Sequence, residues 1–182
     1  MREDQERWLE ALKARQEDAI RRLVGEFGEP LRRYCAAMVR SPADGEDLAQ
    51  EALVRFVGAL DTFRGEASVK TYLFRIAHNL ALNHLASSAV MHEELPGEIC
   101  EGPSPGASPL HAAQSREEGH RLREALARLP PQQRAVVALR TWQDLSFKEI
   151  GAVMGLAEGT AKAHYFFALR NLRRQLEPGD EP

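Results

Sequence analysis

Hydrophobic residues recur every three or four positions through most of the chain, which is the spacing of one face of an α-helix. In residues 4–25 this pattern predicts one helix, which two glycines, Gly25 and Gly28, would end. Pro30 suits the first turn of a helix and would begin a second one. No stretch alternates apolar and polar residues with the period of a half-buried strand. The pattern therefore predicts an all-α fold.

Two more helices are predicted in the first half of the chain. The third spans about residues 43–60 and has acidic residues in its first turns, where the helix dipole favours them. The fourth follows Ser68, whose hydroxyl suits an N-cap, and continues to about Ala86. Four helices of this length make one small helical domain, which we place at residues 1–86.

Residues 87–115 have a different composition. Proline, glycine and serine interrupt every periodicity, and the segment contains four glutamates but no lysine or arginine. Such a segment cannot bury enough apolar surface to offset the entropy of ordering. We therefore expect a flexible acidic linker between two domains.

A second helical domain is predicted at residues 116–177, followed by a short tail at 178–182. Ser146 and Glu149 have the spacing of a capping box at the start of a short helix, and Gly155 would end that helix. A longer helix follows from about Thr160. A short helix, a glycine turn and a longer helix make a helix-turn-helix, in which seven apolar positions would hold the helices together. These are Ile150, Val153, Met154, Leu156, Ala161, Leu169 and Leu172.

Composition and charge exclude several classes of protein. The chain has no apolar run long enough to span a membrane, and its polar start lacks the apolar core of a secretory signal. Cys35 and Cys100 lie in different segments and the histidines lack metal-ligand spacing, so we expect a cytoplasmic protein with no metal and no cofactor. The sequence contains no catalytic nucleophile motif and no phosphate-binding loop, so we do not expect an enzyme. The net charge of −3 argues against a protein that binds DNA unaided.

The fourth helix carries the most informative side chains. Lys70, Arg75, Asn79 and Asn83 fall mostly outside its apolar stripe. Lysine and arginine suit phosphates, and the asparagine amide can pair with base edges. These residues indicate a helix that binds a strand of nucleic acid. An ordinary amphipathic helix with a solvated face explains the same composition.

The residues themselves closely resemble a known family. Residues 59–68, 70–77 and 79, together with 45–52, resemble the small two-domain bacterial sigma factors called extracytoplasmic-function, or group IV, sigma factors of the sigma-70 family. Residues 129–134, 145–151 and 158–162 resemble the C-terminal domain of that family, which binds the promoter −35 element. The resemblance implies a factor that directs core RNA polymerase to promoters and assists promoter melting and initiation.

The resemblance also implies roles for particular residues. Core polymerase would bind Asp44, Asp47, Gln50, Glu51 and Val54. The −10 element would bind Phe63, Arg64, Ser68, Lys70, Tyr72, Arg75, Asn79 and Asn83. The −35 element would bind Thr160, Lys162, Ala163, His164, Phe166, Phe167, Arg170 and Arg173. The implied partners are core polymerase, promoter DNA and an anti-sigma protein, with no insertion of this chain into a membrane.

Some positions depart from the family pattern. His164 stands where an arginine is common, and the aromatic run 164–167 is equally consistent with partial burial. Many relatives have arginines after Ala86 that this chain lacks. These departures favour one alternative, a sigma mimic that sequesters an anti-sigma protein without binding DNA. A helix-turn-helix regulator that binds duplex DNA alone is a second alternative, which the match before residue 80 disfavours.

Overall fold

A computed structural model of the protein describes residues 2–91 and 119–176. Within these residues the chain forms α-helices and no strand, as the hydrophobic pattern predicts. The helices are α1 (Arg2–Lys13), α2 (Glu17–Val39), α3 (Pro42–Gly58), α4 (Val69–Met91), α5 (119–127), α6 (Pro131–Trp142), α7 (Phe147–Met154) and α8 (Glu158–Leu176). The tail at 178–182, Cys100 and most of the predicted linker lie outside the described residues.

The predicted boundary between the first two helices is wrong. The chain turns at Arg15, which has a positive φ of 53°, and α2 then continues through both glycines and Pro30. The reason is tertiary packing, because Leu23, Phe27 and Leu31 are buried at four-residue spacing on one side of α2. That continuous buried face outweighs the helix penalty of a glycine, about 1 kcal/mol each, and of a proline, about 3 kcal/mol.

Local capping chemistry sets the starts of α3 and α4. The backbone N–H of Asp44 donates to the Ser41 hydroxyl at 3.3 Å, and Pro42 occupies the first helical position. The Thr71 N–H donates to Ser68 Oγ at 3.0 Å, which confirms the predicted N-cap. The helix that begins there continues to Met91, beyond the predicted end at Ala86.

Helix α4 lies at the centre of the N-terminal helices and packs on both α2 and α3. Phe74 meets the Tyr34 ring edge to face, with ring centroids 5.5 Å apart. On the other side of α2, Gly45 lets α3 approach closely, because a Cβ at this position would lie 2.4 Å from the Ala36 Cα. The result is a core that encloses most of the circumference of α4.

The C-terminal helices form the predicted helix-turn-helix. The capping box is confirmed, because the Ser146 N–H donates to Glu149 Oε2 at 2.9 Å and the Glu149 N–H donates to Ser146 Oγ at 3.3 Å. Gly155 ends α7 with a φ of 69°. The prediction that Leu169 helps to hold these helices together is wrong. Its side chain is 45% exposed, because it lies beyond the buried edge of α8.

The two groups of helices pack directly against each other. α4 contacts α7, α2 contacts α6, and the buried apolar residues of both groups form one continuous cluster. The hydrophobic pattern alone predicted each group but not this arrangement. The division into domains at residues 86 and 116 therefore stays a prediction about units that share a core in this structure.

Candidate nucleic-acid interface

A narrow exposed ridge runs along α4. Arg75, Asn79 and Asn83 are exposed, and Tyr72 is half-buried at one end of the same line. Their spacing of three or four residues places them on one side of the helix. The residues between them are mostly buried in the core. The only broad polar surface along this part of α4 is thus made of two amides, one guanidinium and one phenol.

The two residues at one end of this ridge contact each other. The Arg75 guanidinium lies over the Tyr72 ring, 4.7 Å from its centroid. Tyr72 in turn packs on Phe63 and Phe56, with centroids 5.1 and 5.9 Å away. Packing fixes the orientation of the phenol ring and leaves one part of it at the surface. A flat ring with a cation beside it is a suitable platform for a stacked base.

The loop before α4 contains both exposed and buried residues among those predicted to bind the −10 element. Arg64 and Ser68 are exposed, and Gly65 has a φ of 75° that favours glycine. Phe63 is buried in the aromatic cluster and supports Tyr72 from beneath. The structure thus places Phe63 behind the surface that its neighbours form.

Lys70 lies on a different side of α4 from the ridge. Its Nζ donates to the backbone carbonyl of Gln143, in the turn between α6 and α7. The structure therefore brings Tyr72, Arg75, Asn79 and Asn83 together and directs Lys70 toward the C-terminal helices.

The outer face of α3 collects four of the five residues predicted to bind polymerase. Asp47, Gln50, Glu51 and Val54 are exposed at positions i, i+3, i+4 and i+7. Val54 is 67% exposed, the largest exposed fraction among the large apolar side chains that the structure describes. The fifth residue, Asp44, is half-buried and lies 3.6 Å from His84 Nε2 on α4. Glu51 is already paired with Arg55 at 2.6 Å. This face therefore suits a partner that covers an apolar side chain and carries a cation beside Asp47.

Helix α8 presents most of its predicted residues to solvent. The exposed ones are Thr160, Lys162, Ala163, Phe166, Phe167, Arg170 and Arg173. The Lys162 Nζ lies 2.7 Å from Glu158 Oε1, a surface pair whose hydrogen bond and charge lower the pKa of the Glu158 carboxyl. Ala161, Ala168 and Leu172 are buried on the opposite side. The face that these buried residues leave open is rich in cations.

The aromatic run 164–167 divides between core and surface. His164 and Tyr165 are half-buried, and the Tyr165 ring meets Phe147 of α7 at 5.5 Å. Phe166 and Phe167 are 64% and 50% exposed and lie edge to face at 5.8 Å. Partial burial thus explains half of the run, and two phenyl rings remain on the cationic face.

Arg134 is a residue whose importance the hydrophobic pattern did not indicate. Its side chain is buried, and its four hydrogen bonds all run to backbone carbonyls, on Ala37, Met38, Ala127 and Leu129. Burial lowers the pKa of this guanidinium to about 10. The available signal was that Arg134 directly precedes the apolar residues 135–139 of α6. A cation buried beside such residues requires hydrogen-bond acceptors nearby.

Within residues 2–91 and 119–176, no group of histidine, cysteine and acidic side chains could hold a metal ion. None of the helices described is long and apolar enough to cross a membrane.

Both halves of the chain match known families. Sigma-70 region 2 matches residues 23–89, and Sigma-70 region 4 matches residues 119–172. The first match contains the exposed face of α3 and the ridge of α4, and the second contains the helix-turn-helix.

Similar proteins have been characterised as sigma factors. The RNA polymerase sigma-E factor of Streptomyces avermitilis is 34% identical over 164 residues, which cover 86% of this chain and 88% of that protein. The ECF RNA polymerase sigma factor BldN of Streptomyces coelicolor is 32% identical over 92% of this chain, and the match spans 64% of BldN.

Solved structures share the fold. CnrH, solved in complex with the cytosolic domain of CnrY, has a TM-score of 0.72 at 20% identity, over 97% of this chain and 99% of that one. The sigma factor RpoE of Bartonella quintana, solved with the anti-sigma factor NepR, has a TM-score of 0.73 at 19% identity, over 88% and 98% of the two chains. The two matching regions and the sequence relatives together show that the chain belongs to the extracytoplasmic-function sigma factors of the sigma-70 family, whose members direct RNA polymerase to promoters.

Proposed function

We propose that this chain is a promoter-selecting subunit of RNA polymerase that uses three separate surfaces. The face of α3 binds core polymerase, the ridge of α4 binds unpaired bases of the −10 element, and α8 binds the −35 duplex. The observation that carries the proposal is the α4 ridge, because a helix enclosed by a core exposes there only residues suited to nucleic acid.

The ridge supports capture of single-stranded DNA. A base removed from the duplex loses stacking, at a cost of a few kcal/mol. Stacking on an aromatic ring returns about 1–3 kcal/mol per base, and Tyr72 is held in place by Phe63 for that contact. Asn79 and Asn83 follow along the helix and would pair with base edges, while Arg75 and Arg64 would contact phosphates.

The exposed face of α8 supports binding to duplex DNA. A recognition helix contacts base edges with residues near its start, and Thr160 and Ala163 occupy such positions. Lys162, Arg170 and Arg173 would contact phosphates. Phe166 lies on the same face, and its ring suits the methyl group of a thymine in the major groove.

The face of α3 supports docking on polymerase. Its exposed Val54 lies on the same face as Asp47, Gln50 and Glu51, which precede it along α3. Desolvation of an apolar anchor gives affinity, and complementary charge at its rim gives orientation. Once polymerase holds the chain, the chain needs no strong positive electrostatic potential of its own to approach DNA. Its net charge of −3 agrees with this.

Use of both DNA surfaces together requires the two groups of helices to separate. The −35 and −10 elements lie about 25 base pairs apart, which is about 85 Å of duplex at 3.4 Å per pair. In the structure α4 and α8 both pack on α7, so their axes lie within about 20 Å. Residues 92–118 join the groups, and 27 residues fully extended reach about 90 Å.

The remaining parts of the proposal follow from this role. The chain performs no reaction itself and takes no cofactor, because the polymerase supplies the chemistry. It acts in the cytoplasm, where bacterial polymerase and promoters are found. An anti-sigma protein binds and restrains it, by analogy with RpoE of Bartonella quintana, which was solved in complex with the anti-sigma factor NepR.

Selection of DNA by the reconstituted complex tests this function. Core polymerase and the chain are mixed with a pool of random duplexes, and bound DNA is sequenced. We expect one motif of two blocks at fixed separation, whose enrichment falls with Asn79→Ala and persists with Arg21→Ala, a surface residue of α2 paired with Glu17. A complex without sequence preference would contradict the proposal, and absence of any complex would favour the sigma mimic.

A further inference from the structure

The C-terminal end of α2 is capped by a residue from the other group of helices. α2 has no basic residue in its last turn. Instead, Arg134 of α6 donates through Nη1 to the carbonyls of Ala37, at 3.2 Å, and Met38, at 2.7 Å. A cation at these carbonyls is favourable, because they carry the negative end of the helix dipole. The guanidinium on α6 thus caps the C-terminal end of α2, a helix of the N-terminal half.

A second cap runs in the opposite direction. α6 ends at Trp142, and the carbonyl of its C-cap residue Gln143 accepts a hydrogen bond from Lys70 Nζ of α4. Lys70 lies in the first turn of α4, where its own helix dipole disfavours a cation. The charge is instead placed at the carbonyl end of another helix. The hydrogen bonds from Ser146 lower the pKa of Glu149, and the Lys70 charge lowers it further as a smaller cause.

A third contact joins α2 to the C-terminal end of α6. The Arg33 guanidinium of α2 lies over the Trp142 ring, 5.4 Å from its centroid. Trp142 is the last residue of α6, so this contact lies beside the cap that Lys70 makes. Two helices of one half and one helix of the other are therefore joined by three cations.

We propose that Arg134, Lys70 and Arg33 form a latch that holds the free chain closed and withholds Lys70 from DNA. The inference rests on the proposed function, because it treats Lys70 as a residue that DNA contacts in the open form. In the closed form the ridge of α4 stays exposed, while Lys70 is bound to Gln143. DNA and the C-terminal helices therefore compete for one ammonium group.

The chemistry of the latch makes it reversible. Each of its hydrogen bonds joins a cation to a neutral carbonyl, and a phosphate oxygen is a stronger acceptor for the same cation. A lysine that leaves Gln143 for a phosphate thus gains a better partner. Opening exposes helix ends that water can solvate and does not strand a charge without an acceptor. It also exposes apolar residues that the two groups share, a cost that contacts with polymerase and DNA have to offset. Binding to DNA on polymerase favours the open form, and the isolated chain favours the closed one.

Compactness and DNA affinity of the full chain test the latch. Small-angle scattering gives the radius of gyration of the free protein, which is compared with that of Arg134→Met and Lys70→Met. Both substitutions keep a long apolar side chain and remove a cap, so we expect both variants to be larger than the wild type. Arg21→Met, on the exposed side of α2, is the matched control and should leave the radius unchanged.

Affinity for a single-stranded oligonucleotide gives the second readout. The exposed ridge without Lys70 gives the closed form a weaker site, so if the open form is about a tenth of the free protein, the wild type binds up to about tenfold more weakly than an open chain. We expect Arg134→Met to bind about tenfold more tightly, and Lys70→Met to show no such gain, because it lacks the cation that opening releases. The oligonucleotide carries the −10 block selected as described above.

Arg134 also donates to Ala127 and Leu129 within its own half, so its replacement can unfold the C-terminal helices. If Arg134→Met loses its helical circular dichroism signal, the radius of gyration of Lys70→Met alone tests the latch. A wild type that is already extended would overturn the latch, as would folded variants that keep its radius. Transcription by the wild type with core polymerase tests the proposed function separately from the latch. Transcripts can appear even if the scattering measurements contradict the latch.

Discussion

The hydroxyl oxygen of Tyr34 lies 2.8 Å from Nδ1 of His78, and both side chains are fully buried between α2 and α4. Burial lowers the pKa of His78 to about 4 and raises that of Tyr34 well above its ordinary value. His78 immediately precedes Asn79 of the exposed ridge. The helix that carries the ridge is thus held in place by a pair that has to stay neutral.

Stability should fall steeply in mild acid because of His78. Its pKa is about 4 in the folded chain and 6.5 in an unfolded one. The stabilisation from neutral His78 is fully present above pH 6.5 and is lost as the pH falls from 6.5 toward 4. The shift corresponds to about 3 kcal/mol at 1.36 kcal/mol per pKa unit. Urea unfolding at intervals of half a pH unit measures it.

His78→Gln provides the control for this pH dependence. Glutamine can accept a hydrogen bond from Tyr34 but does not titrate between pH 4 and 6.5. The difference in unfolding free energy between wild type and variant should therefore change by about 3 kcal/mol across this range. Parallel pH profiles for the two proteins would show that the acid sensitivity comes from other groups.

Gly151→Ala should disrupt the helix-turn-helix. A Cβ at Gly151 would lie 2.6 Å from the backbone carbonyl oxygen of Leu156, which cannot move without shifting the turn. Overpacking of this kind costs about 1–3 kcal/mol, and duplex binding should fall with it. Thermal unfolding of the C-terminal helices measures the cost. Gly25→Ala, where nothing lies within 4 Å, should instead stabilise the protein by about 0.5–1 kcal/mol.

Val54→Lys should weaken binding to core polymerase without changing stability. The side chain is 67% exposed, so the folded chain tolerates a charge there. A partner that buries Val54 would have to desolvate the ammonium group, and we expect affinity to fall at least about tenfold, which is 1.4 kcal/mol. Fluorescence titration with labelled core polymerase measures the loss. Val24→Lys, on the exposed side of α2, is the matched control, and an equal loss there would argue against a specific α3 surface.

Lys162→Ala and Phe166→Ala should affect duplex binding in different ways. Loss of a phosphate contact weakens binding to all sequences alike and lowers the slope of log affinity against log salt by about 1. Loss of a contact to a thymine methyl changes preference at one base pair, by about 1–3 kcal/mol. Binding of sequence variants at several salt concentrations separates the two effects. Identical profiles for both variants would show that α8 does not lie in the groove as proposed.

Local sequence rules predicted those elements that depend on neighbouring residues. The capping box at Ser146, the N-cap at Ser68 and the left-handed end of α7 at Gly155 each form within one helical turn. The stripe of α4 likewise followed from periodicity. Such features need no knowledge of distant segments, and the structure confirms them.

Features that depend on tertiary packing could not be predicted in this way. α2 continues through Pro30 because its buried face is continuous, which outweighs the preference of proline for a first turn. Phe63 is buried under Tyr72, and Lys70 binds Gln143, through contacts with other helices. Sequence alone placed both side chains at the DNA surface, because neither the aromatic cluster nor the closed arrangement leaves a periodic signal.

Run-off transcription tests the central claim most directly. Core polymerase is incubated with duplexes that carry the selected two-block motif, with and without the purified chain, and transcripts are mapped to their first nucleotide. We predict transcripts that require the chain and start at a fixed distance after the second block. They should fall at least about tenfold with Asn79→Ala, a loss of 1.4 kcal/mol or more, and persist with Arg21→Ala. A folded chain that binds core polymerase but yields no motif-dependent transcript would contradict the account.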